Sequence, residues 1–339
     1  MSDGTANLRR KIRSAGDLQS VVRTMKALAA SGIGQYEEAV RALAGYHRTV
    51  ELGLGACLRQ GEPAALAVER EGRAAAGANG ASGASGAAGT IGTIGAIVFG
   101  SDQGLVGRFN DAVADCAVKA LAALSGAPRV WAVGERVHAR LADAGLPPAR
   151  LFAVPSSVRS IAPLVGEIQI ESEGHGAGGE VAQLFVFHNR PLSGSLYEPV
   201  SQRLLPLDLA WLRRQAGVRW PTRSRPEVVG GAAVTLRTLL REYLFISLFR
   251  ACAESLASEN ASRLAAMERA DQNIDELLAT LQGAFHRVRQ GGIDEELFDV
   301  VTGFEALSAA LPGARRSPRP SSRRPVAGPG QMPDRSILS

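Results

Sequence analysis

Residues 254–310 read ESLASENASRLAAMERADQNIDELLATLQGAFHRVRQGGIDEELFDVVTGFEALSAA, and this stretch decides the fold. Its apolar residues recur alternately three and four positions apart, in a seam formed by Met267, Ala270, Ile274, Leu277, Leu281, Ala284 and Val288. Such a seven-residue repeat is typical of a helix that packs along a partner helix. No proline occurs between residues 227 and 311, so we expect one helix over residues 232–311. An unbroken helix from Ala232 to Ala310 would be roughly 115 Å long, which is too long for one compact domain.

A second helical segment, residues 1–58, is the candidate partner. Gln19 takes one polar position in its apolar seam, whose other members are Leu8, Ile12, Ala15, Val22, Met25 and Ala29. Neither helix can bury its seam alone, so we expect the two to form an antiparallel coiled coil. Gly32 and Gly34 each cost up to about 1 kcal/mol relative to Ala. We therefore expect this helix to be soft or bent near Gly32.

Between these helices, residues 96–210 alternate strand and helix patterns. Strands are predicted at 96–101, 129–134, 151–155 and 181–189, and helices at 110–124, 135–144 and 161–170. This alternation predicts a parallel or mixed sheet covered by helices. The predicted fold class is therefore an α/β domain inserted into a long antiparallel α-helical coiled coil.

Three further segments are predicted from composition. Residues 59–95 are rich in Gly, Ala and Ser, which predicts a flexible linker. Residues 211–231 are predicted to form an irregular basic loop. Residues 312–339 are rich in Pro, Ser and Arg, which predicts a disordered basic tail.

The residue types of the chain predict no catalytic, cofactor-binding or metal-binding residue. GSDQGLVG at 100–107 lacks the spacing of a dinucleotide loop, and no phosphate-binding GxxxxGK[ST] occurs. The five His residues and the three Cys residues are scattered without a ligand spacing. We expect Asp102, which follows a strand, to bond the amides of its own turn.

The balance of charge and hydropathy argues against two classes of partner. The net charge is +5, but only three of the 38 basic residues are Lys, an Arg bias that reflects a GC-rich genome, so nucleic acid is not an expected partner. The most apolar segment, residues 243–249, is far too short to span a bilayer. The N-terminus also lacks an apolar signal stretch, so we expect no membrane span.

Polar residues on the long helix leave two explanations open. Asn260 and Arg263 fall on the seam when it is extended back from Met267. Glu259 and Arg263 could form an i,i+4 ion pair worth about 0.2–0.5 kcal/mol, or these residues could contact a partner protein. Farther on, Gly291–Gly292 followed by Asp294 predicts that the helix breaks and is capped again.

Four stretches together resemble the gamma subunit of rotary F-type ATP synthases, in that family's order. The C-terminal one is SLASENASRLAAMERADQNIDELL followed by RVRQGGIDEELFDVVTGFEAL, and the N-terminal one is LRRKIRSAGDLQSVVRTMKALAAS from Leu8 to Ser31. The other two are GAIVFGSDQGLVGRFN and, more weakly, SLYEPVSQRLLPLD. Asp294 and Phe304 depart from the family pattern, although Asp caps a helix as well as the usual Thr. These departures, the glycines and the linker indicate a divergent gamma subunit or one from an alternative form of the complex.

The resemblance implies a non-catalytic rotor shaft that couples proton or sodium flow to ATP synthesis or hydrolysis. Its implied partners are the alpha and beta subunits of the catalytic ring, the epsilon subunit and the membrane c-ring. The implied location is the cytoplasmic face of the cell membrane, peripheral to it. Residues matching the family's ring contacts are Met25, Lys26, Glu259, Arg263, Arg289 and Gln290.

Two other classes of protein remain as alternatives. One is a coiled-coil adaptor with an α/β small-molecule-binding domain, and the other is a dinucleotide enzyme. Co-purification with a hexameric ATPase ring would separate the rotor from both.

Overall fold

The computed structural model describes residues 2–60, 93–124, 126–173, 181–192, 196–224, 226–228 and 231–310. Its Cα positions divide into two compact units. One is Lys11–Thr280, and the other joins Met1–Arg10 to Leu281–Ser339. The predicted linker lies mostly outside the described residues, and the predicted tail lies outside them entirely.

Two long helices frame the chain. Helix α1 covers Ser2–Gln60 and helix α6 covers Ala232–Ala310. Both agree with the sequence prediction to within two residues. Gly291 and Gly292 are helical, so the predicted break at this position is wrong. Two glycines cost about 2 kcal/mol relative to Ala, and the helical residues on both sides outweigh that cost.

A five-stranded mixed sheet lies between the long helices in the chain. Its strands are β1 (Thr93–Phe99), β2 (Pro128–Val133), β3 (Arg150–Phe152), β4 (Val181–Pro191) and β5 (Tyr197–Leu205), in the order β3-β2-β1-β4-β5. The first four are parallel, and β5 pairs antiparallel with β4 at the edge. Strand β5 was not predicted, because its alternating polar residues lack an apolar run.

Shorter helices cover this sheet. They are α2 (Phe109–Ala122), α3 (Glu135–Asp143) and α4 (Ile161–Glu173), the last preceded by a 3₁₀ turn at Val158–Ser160. A further helix, α5 (Leu209–Gly217), occupies part of the segment predicted to be a basic loop. That prediction was wrong at 211–217, because Trp211 and Leu212 face a hydrophobic cluster with α1 and α6. The Asp208 carboxylate caps α5 by accepting a hydrogen bond from the Ala210 amide.

The two faces of the sheet bury different sets of residues, as the two-residue period of a strand requires. Ile97, Phe99 and Trp131 face a cluster that includes α4 and the segment of α6 from Leu244 to Ala257. Ala96 and Val98 face the opposite cluster, formed with α2 and α3. The long helix α6 is therefore part of the core of the α/β domain.

Within Lys11–Thr280, α1 and α6 pair antiparallel, as predicted. Arg23 bonds Asp271, Tyr46 donates to Glu242, and Gly53 packs against Leu239. Successive residues along α1 thus contact residues with decreasing numbers along α6, which shows that the two helices are antiparallel. At Gly32 a Cβ atom would lie 3.1 Å from the Asn260 side chain, so the absence of a side chain there makes room for a polar seam residue.

The predicted seam of α1 is confirmed, because Ala15, Val22 and Ala29 are all buried. The predicted seam of α6 is partly wrong. Met267 and Ile274 are buried, but Leu277 is 49% exposed, and Leu278 packs into the coiled-coil cluster instead. Asp271 occupies the inward position between Met267 and Ile274, and its carboxylate accepts hydrogen bonds from Gln19 and Arg23. A polar inward position cannot be recognised from apolar spacing alone.

Cysteines placed at Arg23 and Asp271 should cross-link within one chain, because Arg23 Nε lies 3.2 Å from Asp271 Oδ1. The three native cysteines are first replaced by Ala, and a short bismaleimide reagent is then used, with mass spectrometry to identify the product. The control pair, Arg23 with Glu242, should give no intrachain product. Cross-links that form only between chains would point to a homodimeric coiled coil.

Candidate functional site

One segment of α6 is buried on all sides but carries polar residues. Residues 251–259 are all buried, and they include Glu254, Ser255, Ser258 and Glu259. A helix buried all round is normally apolar, so these polar groups need partners. Polar residues of this segment therefore bond other elements and position the α/β domain against the coiled coil.

Two serines of α6 hold the α/β domain through its backbone. Ser258 Oγ donates to the Asn189 carbonyl at 2.9 Å, and Ser262 Oγ donates to the Val106 carbonyl at 2.6 Å. Asn189 Nδ2 in turn donates to the Phe109 carbonyl at 2.9 Å. These bonds join the end of β4 and the loop after β1 to one face of the long helix.

A buried carboxylate joins β4 to α6. Glu254 Oε2 lies 2.8 Å from His188 Nε2, and Glu254 Oε1 accepts from Arg250 Nε at 2.6 Å. Burial alone would raise the pKa of Glu254. The hydrogen bonds from His188 and Arg250 outweigh burial and lower this pKa to about 2. Glu254 is thus held as an anion where β4 packs against α6.

Glu259 and Arg263 form the ion pair that was one of the two explanations open from sequence. Arg263 Nη2 lies 2.6 Å from Glu259 Oε1, and the two side chains are only 13% and 7% exposed. Burial raises the pKa of Glu259 despite the opposing effect of Arg263. Both side chains are covered by other residues of this chain. The structure therefore places this pair in the interior, away from the surface that a partner would touch.

Met25 and Lys26 lie on the partly buried face of α1. Met25 packs against the cluster of Val22, Met267 and Ile274. Lys26 Nζ lies 3.6 Å from Glu268 Oε1, with both side chains well exposed. Lys26 is thus open to a partner, while Met25 mainly supports the coiled coil.

The loop after β1 lacks the spacing of a dinucleotide loop, and its carboxylate bonds other loops of this chain. Asp102 accepts hydrogen bonds from the amides of Glu135 and Val154, both at 3.0 Å. The expectation that it bonds its own turn was wrong, because parallel strands bring their loops together at one sheet edge. Gly134 has φ +113°, and a Cβ there would lie 2.8 Å from the Ser101 backbone. The N-terminus of α3 thus holds the Asp102 carboxylate.

The same loop exposes an apolar side chain beside a polar groove. Leu105 has φ +64° and is 61% exposed. The neighbouring groove is lined by Arg108, Tyr197 and Arg269 among others. Neither feature was predicted from sequence, because a single exposed Leu carries no periodic signal.

The end of α6 is apolar and exposed. Arg289 and Gln290 are exposed, and a group of large apolar residues that follows them is at least 50% exposed: Ile293, Leu297, Phe298, Val300, Val301, Phe304 and Leu307. Five of these seven repeat at three- and four-residue intervals on one side of the helix. An exposed apolar patch of this kind marks a surface that packs against another protein. The helical spacing of these apolar residues is visible in the sequence, but their exposure is not.

Among the described residues, no helix is long and apolar enough to cross a membrane. The same residues contain no cluster of three or more His, Cys, Asp or Glu that could hold a metal ion.

The described residues thus define an antiparallel coiled coil with an inserted α/β domain and an exposed apolar helix end. The sequence model of the ATP synthase family matches residues 4–307, and the chain belongs to that family. It is similar to the ATP synthase gamma chain of Ralstonia nicotianae, with 24% identity over 314 residues that cover 90% of this chain and 99% of the relative. It is also similar to the gamma chain of Syntrophus aciditrophicus, with 34% identity over 129 residues that cover 38% of this chain and 44% of the relative. The resemblance to the gamma subunit that the sequence indicated is confirmed.

Two solved assemblies of the Euglena gracilis mitochondrial ATP synthase contain chains of the same fold. The rotor assembly gives a TM-score of 0.55 at 13% identity, covering 86% of this chain and 100% of that one. The assembly of OSCP, F1 and c-ring gives a TM-score of 0.58 at 12% identity, covering 94% and 99%. The predicted fold class, an α/β domain with a long coiled coil, is confirmed.

Proposed function

We propose that this chain is the central rotor shaft of an F-type ATP synthase, a gamma subunit that couples ion flow to ATP synthesis or hydrolysis. The observation that carries this proposal is the exposed apolar end of α6, from Ile293 to Leu307. Such a surface on a helix that is otherwise paired or buried needs an enclosing partner. A catalytic ring of alternating alpha and beta subunits would provide that enclosure.

The shaft would act by shifting the conformational equilibria of the ring subunits through its contacts with them. A two-stranded coiled coil presents a different surface in each direction, so each pair of ring subunits would meet different side chains. Each pair of ring subunits would switch between conformations that bind nucleotide with different affinity. Rotation would favour these conformations in turn, because the shaft would contact one conformation more favourably than the other. Arg289 and Gln290 are exposed and Lys26 is half-buried, so all three could make these contacts.

Glu259 and Arg263 would act differently from the other residues that match the family's ring contacts. Their pair is buried within this chain, so its role would be to hold the register of α6 against the α/β domain. The α/β domain would connect the shaft to the epsilon subunit and the membrane c-ring. The chain would then be peripheral, at the cytoplasmic face of the membrane.

Isolation of the complex through an affinity tag on this chain tests the proposal. We expect the catalytic ring subunits to be recovered with it, together with ATP hydrolysis that drives ion pumping in membrane vesicles. A chain that purifies alone, or as a homodimer without ATPase activity, would favour the adaptor alternative.

Arg289→Ala should lower ATP-driven pumping several-fold in the assembled complex and leave the stability of the chain unchanged. Arg289 is exposed, and a charged contact at the rim of an interface contributes about 1 kcal/mol or less. The measurement is pumping and ATP hydrolysis in the same vesicles, beside thermal unfolding of the isolated chain. Arg263→Ala is the matched comparison, and it should lower the unfolding temperature because it leaves Glu259 buried without its partner. If Arg289→Ala leaves both pumping and hydrolysis unchanged, this residue is only a solvated position on a long helix.

A further inference from the structure

A polar cavity of about 260 Å³ lies where the coiled coil meets the α/β domain. Its walls come from α1, β4, β5, α5 and α6, all within Lys11–Thr280. Since one water molecule occupies about 30 Å³ of liquid, the cavity can hold several waters or a small polyatomic ion. The rotor role makes no use of this cavity.

Hydrogen-bond donors on the cavity wall outnumber the free acceptors. Arg190, Arg250, Gln202 and Trp211 all line the cavity and carry N–H groups. The carboxylates on the wall are Glu254 and Glu51. Glu254 already accepts from His188 and Arg250, and Glu51 lies 3.8 Å from His47. A ligand in this cavity would therefore need to be rich in acceptors.

Both arginines use only part of their guanidinium groups within the chain. Arg250 is engaged through Nε, and the described residues provide no partner for its Nη atoms. Arg190 Nε lies 3.5 Å from Glu254 Oε2, which is an ion pair but too long for a well-formed hydrogen bond. The planar fork of Arg matches the oxygens of carboxylate and phosphate.

An independent observation comes from His188. This side chain is 2% exposed, and its Nε2 atom is held by Glu254. Its Nδ1 atom is buried and has no hydrogen-bond partner among the described residues. When Nε2–H donates to Glu254, Nδ1 can accept a hydrogen bond, and a bound water or the hydroxyl of hydrogen phosphate could donate it.

We infer that this cavity binds a small oxyanion, either phosphate or a small carboxylate. The anion would accept hydrogen bonds from Arg190, Arg250 and Gln202. Because these residues come from β4, α6 and β5, the bound anion would fasten the α/β domain to the long helix. Binding to the folded state alone would also raise the unfolding temperature of the chain.

Titration of the full chain with sodium phosphate, and separately with sodium acetate, at constant ionic strength tests this inference. We expect saturable binding by isothermal calorimetry and a rise in unfolding temperature with one anion or both. Saturation by phosphate alone identifies a phosphate site, whereas equal saturation by acetate identifies a site for any small oxyanion. Sodium chloride at the same ionic strength is the reference. The absence of saturable binding by either anion would overturn the inference.

Variants then locate the site. Arg250→Gln should weaken binding about tenfold, because it removes a charged donor to the anion; this corresponds to about 1.4 kcal/mol. Arg237→Gln is the matched control, because Arg237 is exposed on the same helix and does not line the cavity. Gln202→Leu provides a second variant that keeps every ion pair of Glu254, in case Arg250→Gln does not fold. Equal loss of binding in Arg237→Gln, or full binding in both Arg250→Gln and Gln202→Leu, would contradict the assignment. Either result is independent of whether the chain assembles with a catalytic ring.

Discussion

Replacing Leu297, Phe298 and Phe304 together by Gln should weaken assembly with the catalytic ring about a thousandfold. The three side chains are 65%, 76% and 73% exposed, so no interaction within the described chain is lost. If a partner buries them, each contributes about 1.5 kcal/mol, and the sum of about 4.5 kcal/mol corresponds to a factor on the order of a thousand. Gln is a good helix former, so the helix content should not change. The measurement is the recovery of ring subunits on a tagged chain at falling protein concentration.

Three polar residues of the same helical stretch provide the control. Glu295, Asp299 and Glu305 are exposed and are changed to Gln, Asn and Gln. Assembly with the ring should remain within a few-fold of the unmodified chain. Should the apolar triple variant assemble and pump ions like the unmodified chain, the apolar end of α6 is not the surface that the ring encloses.

Glu254→Gln should lower the free energy of unfolding by about 3 kcal/mol near neutral pH. Glu254 is 5% exposed, and its pKa is lowered from 4.5 to about 2 by the hydrogen bonds from His188 and Arg250, which outweigh burial. Each unit of pKa shift corresponds to 1.36 kcal/mol, so a shift of this size gives about 3 kcal/mol. A lowered pKa contributes stability above the ordinary pKa, and that contribution is lost as the pH falls towards the folded-state pKa.

The pH dependence makes this prediction specific. The difference between Glu254→Gln and the unmodified chain should be constant above pH 4.5 and should narrow as the pH is lowered towards about 2. Denaturant unfolding of the full chain at pH 7, 4.5 and 3 measures it. Glu276→Gln, an exposed change on the same helix, should stay within about 0.5 kcal/mol of the unmodified chain. A difference that does not vary with pH would mean that packing, and not charge, accounts for the loss.

The candidate site was only partly predictable from the sequence, because many of its contacts join residues that are far apart in the chain. Lys26, Arg289 and Gln290 were predicted as partner contacts through local resemblance, which needs no knowledge of burial, and that role stays a prediction. Glu254 and His188 were not singled out together, because 66 positions separate them in sequence. Ser262 bonds a carbonyl 156 positions away, and no local pattern contains that pairing.

The sequence by itself determined the two long helices, the inserted α/β domain and the family. Helical and strand periods are local properties of two to seven residues, so the helix from Leu8 to Ala29 and the strands at 97 and 131 could be predicted directly. Only the tertiary structure decided which residues face inward. Leu278, and not Leu277, packs into the cluster of Val22, Met267 and Ile274, while Asp271 finds its partners on α1. The ion pair of Glu259 and Arg263 is interior, with side chains only 7% and 13% exposed. Burial depends on segments far apart in the chain, and the physical reason is that each polar group must find its partner wherever the fold brings one.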